Sequence, residues 1–358
     1  MELQMIDLVI DDEVKSEVQE YYGSTLQGSD DLQSNACCCD IDSIPGYQKL
    51  VLAQIHDEIL TRYYGCGSPI PPNLEGCTVL DLGCGTGRDV YTASKLVGSK
   101  GKVIGVDMTD EQLDVARRHH DFQMEAFGYS ESNVELLKGD IEDLAALDID
   151  DNSVDVIISN CVINLATDKK KVYQEIFRVL KPGGELYFSD VFSNCRVPEE
   201  ISTDPIMYGE CLGGTLYVED FRRLMNDCGW ADFRNVSCAP ITINNPLIEK
   251  KAGNVKFLSA TIRAFKLNSL EDKCEDYGQV AVYNGTIQDS EFSFKLDDHH
   301  TFITGKPMLV CGNTAAMVSE TRYADHFTVH GDRSTHFGLF DDCAPGDAPI
   351  SDGGLSCC

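Results

Sequence analysis

The chain has 358 residues, 42% of them apolar, enough for more than one packed unit. Its net charge of −30, from 29 basic and 59 acidic residues, repels phosphate backbones and argues against nucleic acid as substrate or partner. No stretch reaches the roughly 18 uninterrupted apolar residues of a membrane span, and the start, MELQMIDLVIDDE, is acidic where a secretory signal is basic, so a cytoplasmic protein without a membrane partner is expected.

In chain order, residues 1–45 are acidic and polar around a short helical stretch, Val14 to Tyr22, and contain Cys37, Cys38 and Cys39. Pro45 to Leu60 has helical spacing, with Leu52, Ile55 and Ile59 on one side. A turn-rich passage through Tyr63, Gly65, Cys66 and Gly67 closes at Pro71-Pro72. From Thr78 the pattern alternates. Short apolar, β-branched runs at Thr78–Leu82, Lys102–Val106, Val134–Leu137, Val154–Ser159 and Glu185–Ser189 read as strands. Helical segments lie between them at Arg88–Leu96, Asp110–Phe127 and Lys169–Leu180. Such alternation specifies a parallel sheet with helices on both faces. A helix at Val218–Cys228 precedes strands at Asp232–Ser237 and Ile241–Ile243. Lys256–Lys266 and Gln279–Tyr283 read as strands of a small, mostly β appendage spanning 250–340, with Asn284-Gly285 as a hairpin turn. The Gly-, Asp- and Pro-rich tail from Asp341 to Cys357-Cys358 is expected to be disordered.

The first strand runs directly into Asp81-Leu82-Gly83-Cys84-Gly85-Thr86-Gly87-Arg88, which opens a helix. Glycines at 83, 85 and 87 let the backbone turn tightly and approach a ligand, and the helix behind presents unpaired N–H groups. The dinucleotide fingerprint would place its third glycine where Arg88 stands. The spacing instead resembles motif I of Rossmann-like class I methyltransferases, which implies S-adenosyl-L-methionine as cofactor. Three further features support it: Asp107 at the end of the second strand, positioned to accept ribose hydroxyls; Asp140-Ile141 at the end of the third, resembling the adenine-binding acid; and Arg178 to Gly184 before the fifth. The expected cofactor set is Tyr64, Asp81, Gly83, Gly85, Gly87, Asp107, Met108, Asp140, Ile141 and Asn160.

Sixteen cysteines spread over the whole chain, with no signal peptide, are expected to be reduced thiols, several of them inert core residues. Cys161 ends the fourth strand, at the crevice between strands one and four where ligands of open parallel sheets bind. Arg62-Tyr63-Tyr64-Gly65-Cys66-Gly67 and Tyr208-Gly209-Glu210-Cys211-Leu212-Gly213-Gly214 each set a cysteine among glycines and tyrosines. Together with Asp31 to Cys37 and Ser159 to Leu165, these segments closely resemble the arsenite S-adenosylmethionine methyltransferases, from about Tyr21 to about Phe327, with a likeness to eukaryotic members, algal and animal, in the long C-terminal extension. The resemblance implies that Cys66, Cys161 and Cys211 bind As(III) as substrate, and that Cys37 takes part in a redox step. It implies arsenic detoxification and an external thiol reductant, glutathione or thioredoxin. A Cys37–Cys66 disulfide is the intermediate expected in that step. Soft thiolates suit a soft metalloid, and arsenous acid is neutral near pH 7, so the acidic balance does not exclude it. No Cys-x2–4-Cys pair offers a closed zinc site. Cys38 and Cys39 stand beside Cys37 and blur which thiol is redox-active, whereas Cys84 reads as filler.

The expected division is an N-terminal arm at 1–70 carrying Cys37 and Cys66, a methyltransferase domain at 71–245, a C-terminal domain at 246–340 and a tail at 341–358. A monomer is expected. Two rival readings differ in their products: a methyltransferase of small organic acceptors, with inert cysteines, and a metalloid-binding protein with little turnover.

Overall fold

The computed structural model describes residues 14–26, 32 and 44–340; the Cys37-Cys38-Cys39 run and the tail from 341 lie outside the described residues. The alternating pattern forms as expected from Thr78 onward. Strands β1 (Thr78–Leu82), β2 (Lys102–Asp107), β3 (Val134–Lys138), β4 (Val154–Asn160) and β5 (Leu180–Ser193) pair in parallel in the order β3-β2-β1-β4-β5. β1 is flanked by β2 and β4, so strand order reverses there, and Asp81 and Leu82 pair with Ile158 and Ser159. That reversal opens a crevice beyond the carboxyl ends of β1 and β4, which places the glycine loop and Cys161 together.

β-Branched and aliphatic side chains on these strands are fully buried against the covering helices, with Val79, Leu80, Leu82, Val156, Ile157 and Ile158 among them. The helices meet the sheet through apolar faces, for instance Val172, Tyr173, Ile176 and Val179 on Lys169–Val179.

Several expectations are corrected. The Pro45–Leu60 helix is two helices, Gly46–Leu52 and Asp57–Thr61. His56 takes extended backbone between them, and its Nδ1 accepts from the Glu58 N–H, capping the second. The long helix from Asp110 breaks at His119, whose ring stacks on His56 at 3.6 Å. The break turns Met124 and Phe127 onto Ile55 and Ile59. Residues 241–243 form no strand.

The largest correction concerns the strand assigned to the appendage. β6 (Leu216–Tyr217) adds to β5, and β7 (Phe233–Pro240) and β8 (Phe257–Phe265) complete the central sheet. β8 runs antiparallel between β5 and β7, from Glu185↔Phe265 to Ser193↔Phe257. Its apolar side chains are covered on both faces, which a two-sided sheet demands and a small appendage could not supply. The chain therefore leaves the sheet after Phe265, not at 245.

Beyond it, β9 (Glu275–Asp276), β10 (Gln279–Tyr283), β11 (Ser293–Lys295), β12 (Thr301–Ile303), β13 (Pro307–Val310), β14 (Phe327–His330) and β15 (Gly338–Leu339) form the smaller region. β10 pairs with β13 and β14, so Asn284-Gly285 begins a long loop and not a tight hairpin. A buried ionic cluster ties this region to the sheet: the Arg263 guanidinium and Arg322 both pair with Glu185, which is completely buried. Among the described residues no helix is long and apolar enough to cross a membrane.

Candidate functional site

The loop after β1 carries three glycines in the left-handed region, with φ of +71° at Gly83, +51° at Gly85 and +90° at Gly87. A Cβ on Gly83 would stand 2.4 Å from the Val162 side chain, so only glycine lets this loop pass under the loop after β4. Gly87 caps the helix Arg88–Val97. The loop borders a cleft at the carboxyl ends of β1 and β4. Tyr64, Asp81, Gly83, Gly85, Asp107, Met108, Asp140, Ile141 and Asn160 all line it; of the expected set, Gly87 alone stands behind, holding the helix.

The acids of the cleft differ in how they are held. Asp107 accepts from the Gly85 N–H and the Thr109 N–H, each at 2.8 Å. Burial nevertheless pushes its carboxyl above the usual range. Asp81 is buried, and its Oδ2 has no hydrogen-bond partner among the described residues. Burial, then the nearby Asp89 and Asp107, push it well up. An orphaned carboxylate oxygen beside two other acids suits a ligand carrying positive charge, as a sulfonium with an ammonium group does. Cys84 is buried in the loop, with its thiol pushed well up by burial, which fits an inert filler.

Residues with no signature in the sequence also enter the cleft. Lys15, on the helix at 14–20, donates to Asp140 and Glu142, both at 2.7 Å. Gln19 donates to the Met108 carbonyl, and Gln112 to that of Tyr22. The N-terminal arm thus covers the cleft by polar contacts that no hydrophobic period announces.

The three expected thiols come together around Cys161, which lines the cleft. Cys161 and Cys211 both adopt left-handed backbone, with φ of +54° and +63°. For residues other than glycine this conformation costs on the order of 1–3 kcal/mol and clusters at functional sites. The Cys161 N–H donates to the Ser189 carbonyl, and the Cys211 thiol donates to the Cys161 carbonyl at 2.8 Å. Cys66 and Cys161 form a disulfide with their Cα atoms 6.0 Å apart, a correction to the expectation of reduced thiols throughout. The pairing differs from the expected Cys37–Cys66 intermediate, whose Cys37 lies outside the described residues. All three cysteines are buried.

Asn160 reads differently from expectation. Besides lining the cleft, its Oδ1 accepts from the Cys66 N–H at 2.9 Å, and its Nδ2 donates to Tyr63 and to the Gly67 carbonyl. One side chain at the end of β4 therefore holds the Cys66 loop against Cys161. The Cys211 turn is held similarly. A Cβ on Gly214 would meet the Asn164 carbonyl oxygen at 1.9 Å, and the Thr215 hydroxyl donates to the Cys211 carbonyl.

Asp190 lies beneath this cluster, accepting from the Val191 and Asn164 N–H groups. Burial raises its pKa to about 7. Lys169, lowered by burial to about 8, lies within electrostatic reach of Asp190 and Cys211. A carboxyl raised in the folded state stabilises the fold below about pH 4, and that stabilisation is lost as pH rises through about 7. Asp190→Asn, which keeps the shape and neutrality of the protonated acid, is expected to raise the melting temperature at pH 8 by a few degrees and to converge with the parent below pH 4. Parallel melting curves across that range check this; a variant less stable at pH 8 would mean that the charged carboxylate is the stabilising form.

Comparisons with known proteins agree with these features. A methyltransferase-domain family matches residues 73–229, and an arsenite methyltransferase C-terminal domain family matches 276–346. An arsenite methyltransferase of the bacterium Aquipseudomonas alcaligenes is 52% identical over 329 residues, covering 92% of this chain and 94% of that protein. The human arsenite methyltransferase is 43% identical over 321 residues, covering 89% and 84%. The crystal structure of an arsenic(III) S-adenosylmethionine methyltransferase from Chlamydomonas reinhardtii superposes with a TM-score of 0.81 at 48% identity, over 83% of this chain and 100% of that one. The likeness therefore spans a bacterium, an alga and mammals, not eukaryotes alone.

Proposed function

The chain belongs to the arsenite methyltransferase family, and on that premise we propose that Cys66, Cys161 and Cys211 are the thiolates that hold arsenic during methyl transfer. The enzyme methylates trivalent arsenic at the expense of S-adenosylmethionine. The observation that carries the thiol assignment is the convergence of three cysteines, 145 residues apart at the extremes, on Cys161 in the wall of the cofactor cleft, two of them on strained backbone.

Three sulfur donors complete the pyramidal coordination of As(III) and leave its lone pair free to act as nucleophile. When bound, S-adenosylmethionine supplies an electrophilic methyl group on a sulfonium. Asp81, Asp107 and the glycine loop would hold that cofactor, with Asp140 and Ile141 available to its adenine. The protein's own work is positioning and exclusion of water. Holding two reactants in place can contribute up to about 7–11 kcal/mol of barrier lowering. Asn160 and Asn164 keep the Cys66 and Cys211 loops against Cys161, and the arm with Lys15 covers the cleft.

Methyl transfer takes an electron pair from arsenic, leaving it formally pentavalent. Two thiolates closing to a disulfide return that pair, which restores As(III) and leaves Cys66–Cys161 to be reduced by an external thiol. Such a pair cycles best where a reduced thiol pool exists, which supports the cytoplasm as its compartment.

Methyl transfer from labelled cofactor to arsenite, with speciation of the product, tests the reading. Turnover without arsenic would favour an organic acceptor; tight arsenite binding without product would favour a sequestering protein. For the cofactor half of the site, Asp107→Ala is expected to weaken cofactor binding by about 1.5–3 kcal/mol, the cost of a lost charge-assisted contact, and to leave arsenite binding unchanged. Calorimetry with each ligand separately checks this, and an unchanged cofactor affinity would remove Asp107 from the site.

A further inference from the structure

The disulfide joins two cavities. Cys161 lines the cofactor cleft, whereas Cys66 lines a second and larger cavity, of about 1060 Å³, and the two share no wall residue. The second cavity is walled by the open edge strand β7, through Ser237 and Ala239, by the β8 face at Ser259, and by residues 289–295 of the C-terminal region. Ser259 donates to the Cys66 carbonyl at 2.6 Å, fixing the cysteine at this wall. The charged residues of the lining balance: Arg263 and Lys295 against Asp289 and Glu291, in a chain whose net charge is −30. A small anionic thiol repelled by most of this surface meets no net repulsion here.

We propose that this second cavity is the entry and docking site of a small, carboxylate-bearing thiol of tripeptide size, which reduces the enzyme by attacking Cys66 while the cofactor cleft stays filled. The proposal rests on the redox reading above. It also gives the C-terminal region a task, since residues 289–295 supply one wall.

The step balances. A thiolate attacks the Cys66 sulfur, forming a mixed disulfide there, as the Cys66–Cys161 bond breaks and Cys161 leaves as thiolate to take up a proton. A second thiolate attacks the sulfur of the bound thiol, releasing the Cys66 thiolate and a small-molecule disulfide. Two external thiols are oxidised and one protein disulfide is reduced. Attack at Cys161 would instead require the thiol to occupy the cofactor cleft, so each turnover would wait on cofactor departure.

The experiment needs no arsenic, which separates it from the ligand assignment. The full-length protein is oxidised with diamide and then reduced with glutathione, and the return of Cys66 and Cys161 thiols is followed by alkylation and mass spectrometry. Saturating S-adenosylhomocysteine is expected to change the rate by less than twofold, and the transient glutathione adduct is expected on Cys66. Ala239→Trp, which fills the cavity from the exposed strand edge, is expected to slow the reduction at least tenfold while cofactor affinity stays unchanged. An adduct on Cys161, protection by S-adenosylhomocysteine, or an undiminished rate in a folded Ala239→Trp protein would each overturn the proposal. Reduction by thioredoxin at a rate that glutathione does not approach at millimolar concentration would overturn the choice of a small thiol. If Ala239→Trp does not fold, the adduct position and the cofactor-product arm decide the matter on the parent protein.

Discussion

Cys161→Ser is expected to lower arsenite methylation at least a hundredfold, with cofactor affinity intact. A hydroxyl replaces a soft sulfur donor and leaves the chelate with two. Loss of a partner that merely orients a metal ligand costs about 10–100-fold, and loss of a direct ligand exceeds that. Serine can adopt the same left-handed backbone at about the same cost, so the defect is chemical and not conformational. Cys211→Ser is expected to behave alike, because its thiol is held on the Cys161 carbonyl and points into the same cluster. X-ray absorption of the arsenite-loaded protein would report three sulfur neighbours in the parent and two in either variant. Full affinity and turnover in both variants would end the thiolate assignment, whatever the fate of Cys66.

The second large effect separates the first methylation from the next. Arsenite offers three exchangeable positions, a methylated arsenical only two. Cys161 and Cys211 stand on rigid, strained backbone and contact each other directly, while Cys66 enters on a loop tethered through Asn160. The pair Cys161–Cys211 is therefore expected to suffice for monomethylarsenite. Cys66→Ser is expected to reduce arsenite methylation by at least tenfold and to leave methylation of monomethylarsenite within about twofold of the parent, assayed with trivalent substrate and excess small thiol. Equal loss on both substrates would mean that Cys66 is needed for cofactor or loop geometry and would remove its role as third ligand.

Much of this enzyme is local chemistry written at strand ends. Alternation of apolar β-branched runs with helical periods identifies β1 to β5, because each element's period reflects its own burial. The glycine loop, Asp107 and Asp140-Ile141 are legible because they stand at strand ends of that alternation, and nine of the ten expected cofactor residues line one cleft. Cys161 is legible as the residue beyond β4. Cys66 and Cys211 are marked only by glycines and tyrosines and by likeness to a family.

The tertiary structure decided what depends on distant partners. Phe257–Phe265 reads as a strand from its residues, but its place between β5 and β7 follows from having both faces buried, and no local pattern says against which sheet. Asn284-Gly285 carries a turn preference that the pairing of β10 with β13 and β14 overrides. Lys15 belongs to the cleft through two distant carboxylates, and a lone lysine in an acidic arm has no period to betray it. The left-handed backbone at Cys161 and Cys211 is equally silent in the sequence, since cysteine has no preference for it and only the surrounding hydrogen bonds impose it. Composition and periodicity determined which elements form and at which strand ends a cleft opens. The meeting of three thiols, and the second cavity behind one of them, came from packing between segments far apart in the chain, where the energy lies in contacts and not in the propensity of any single residue.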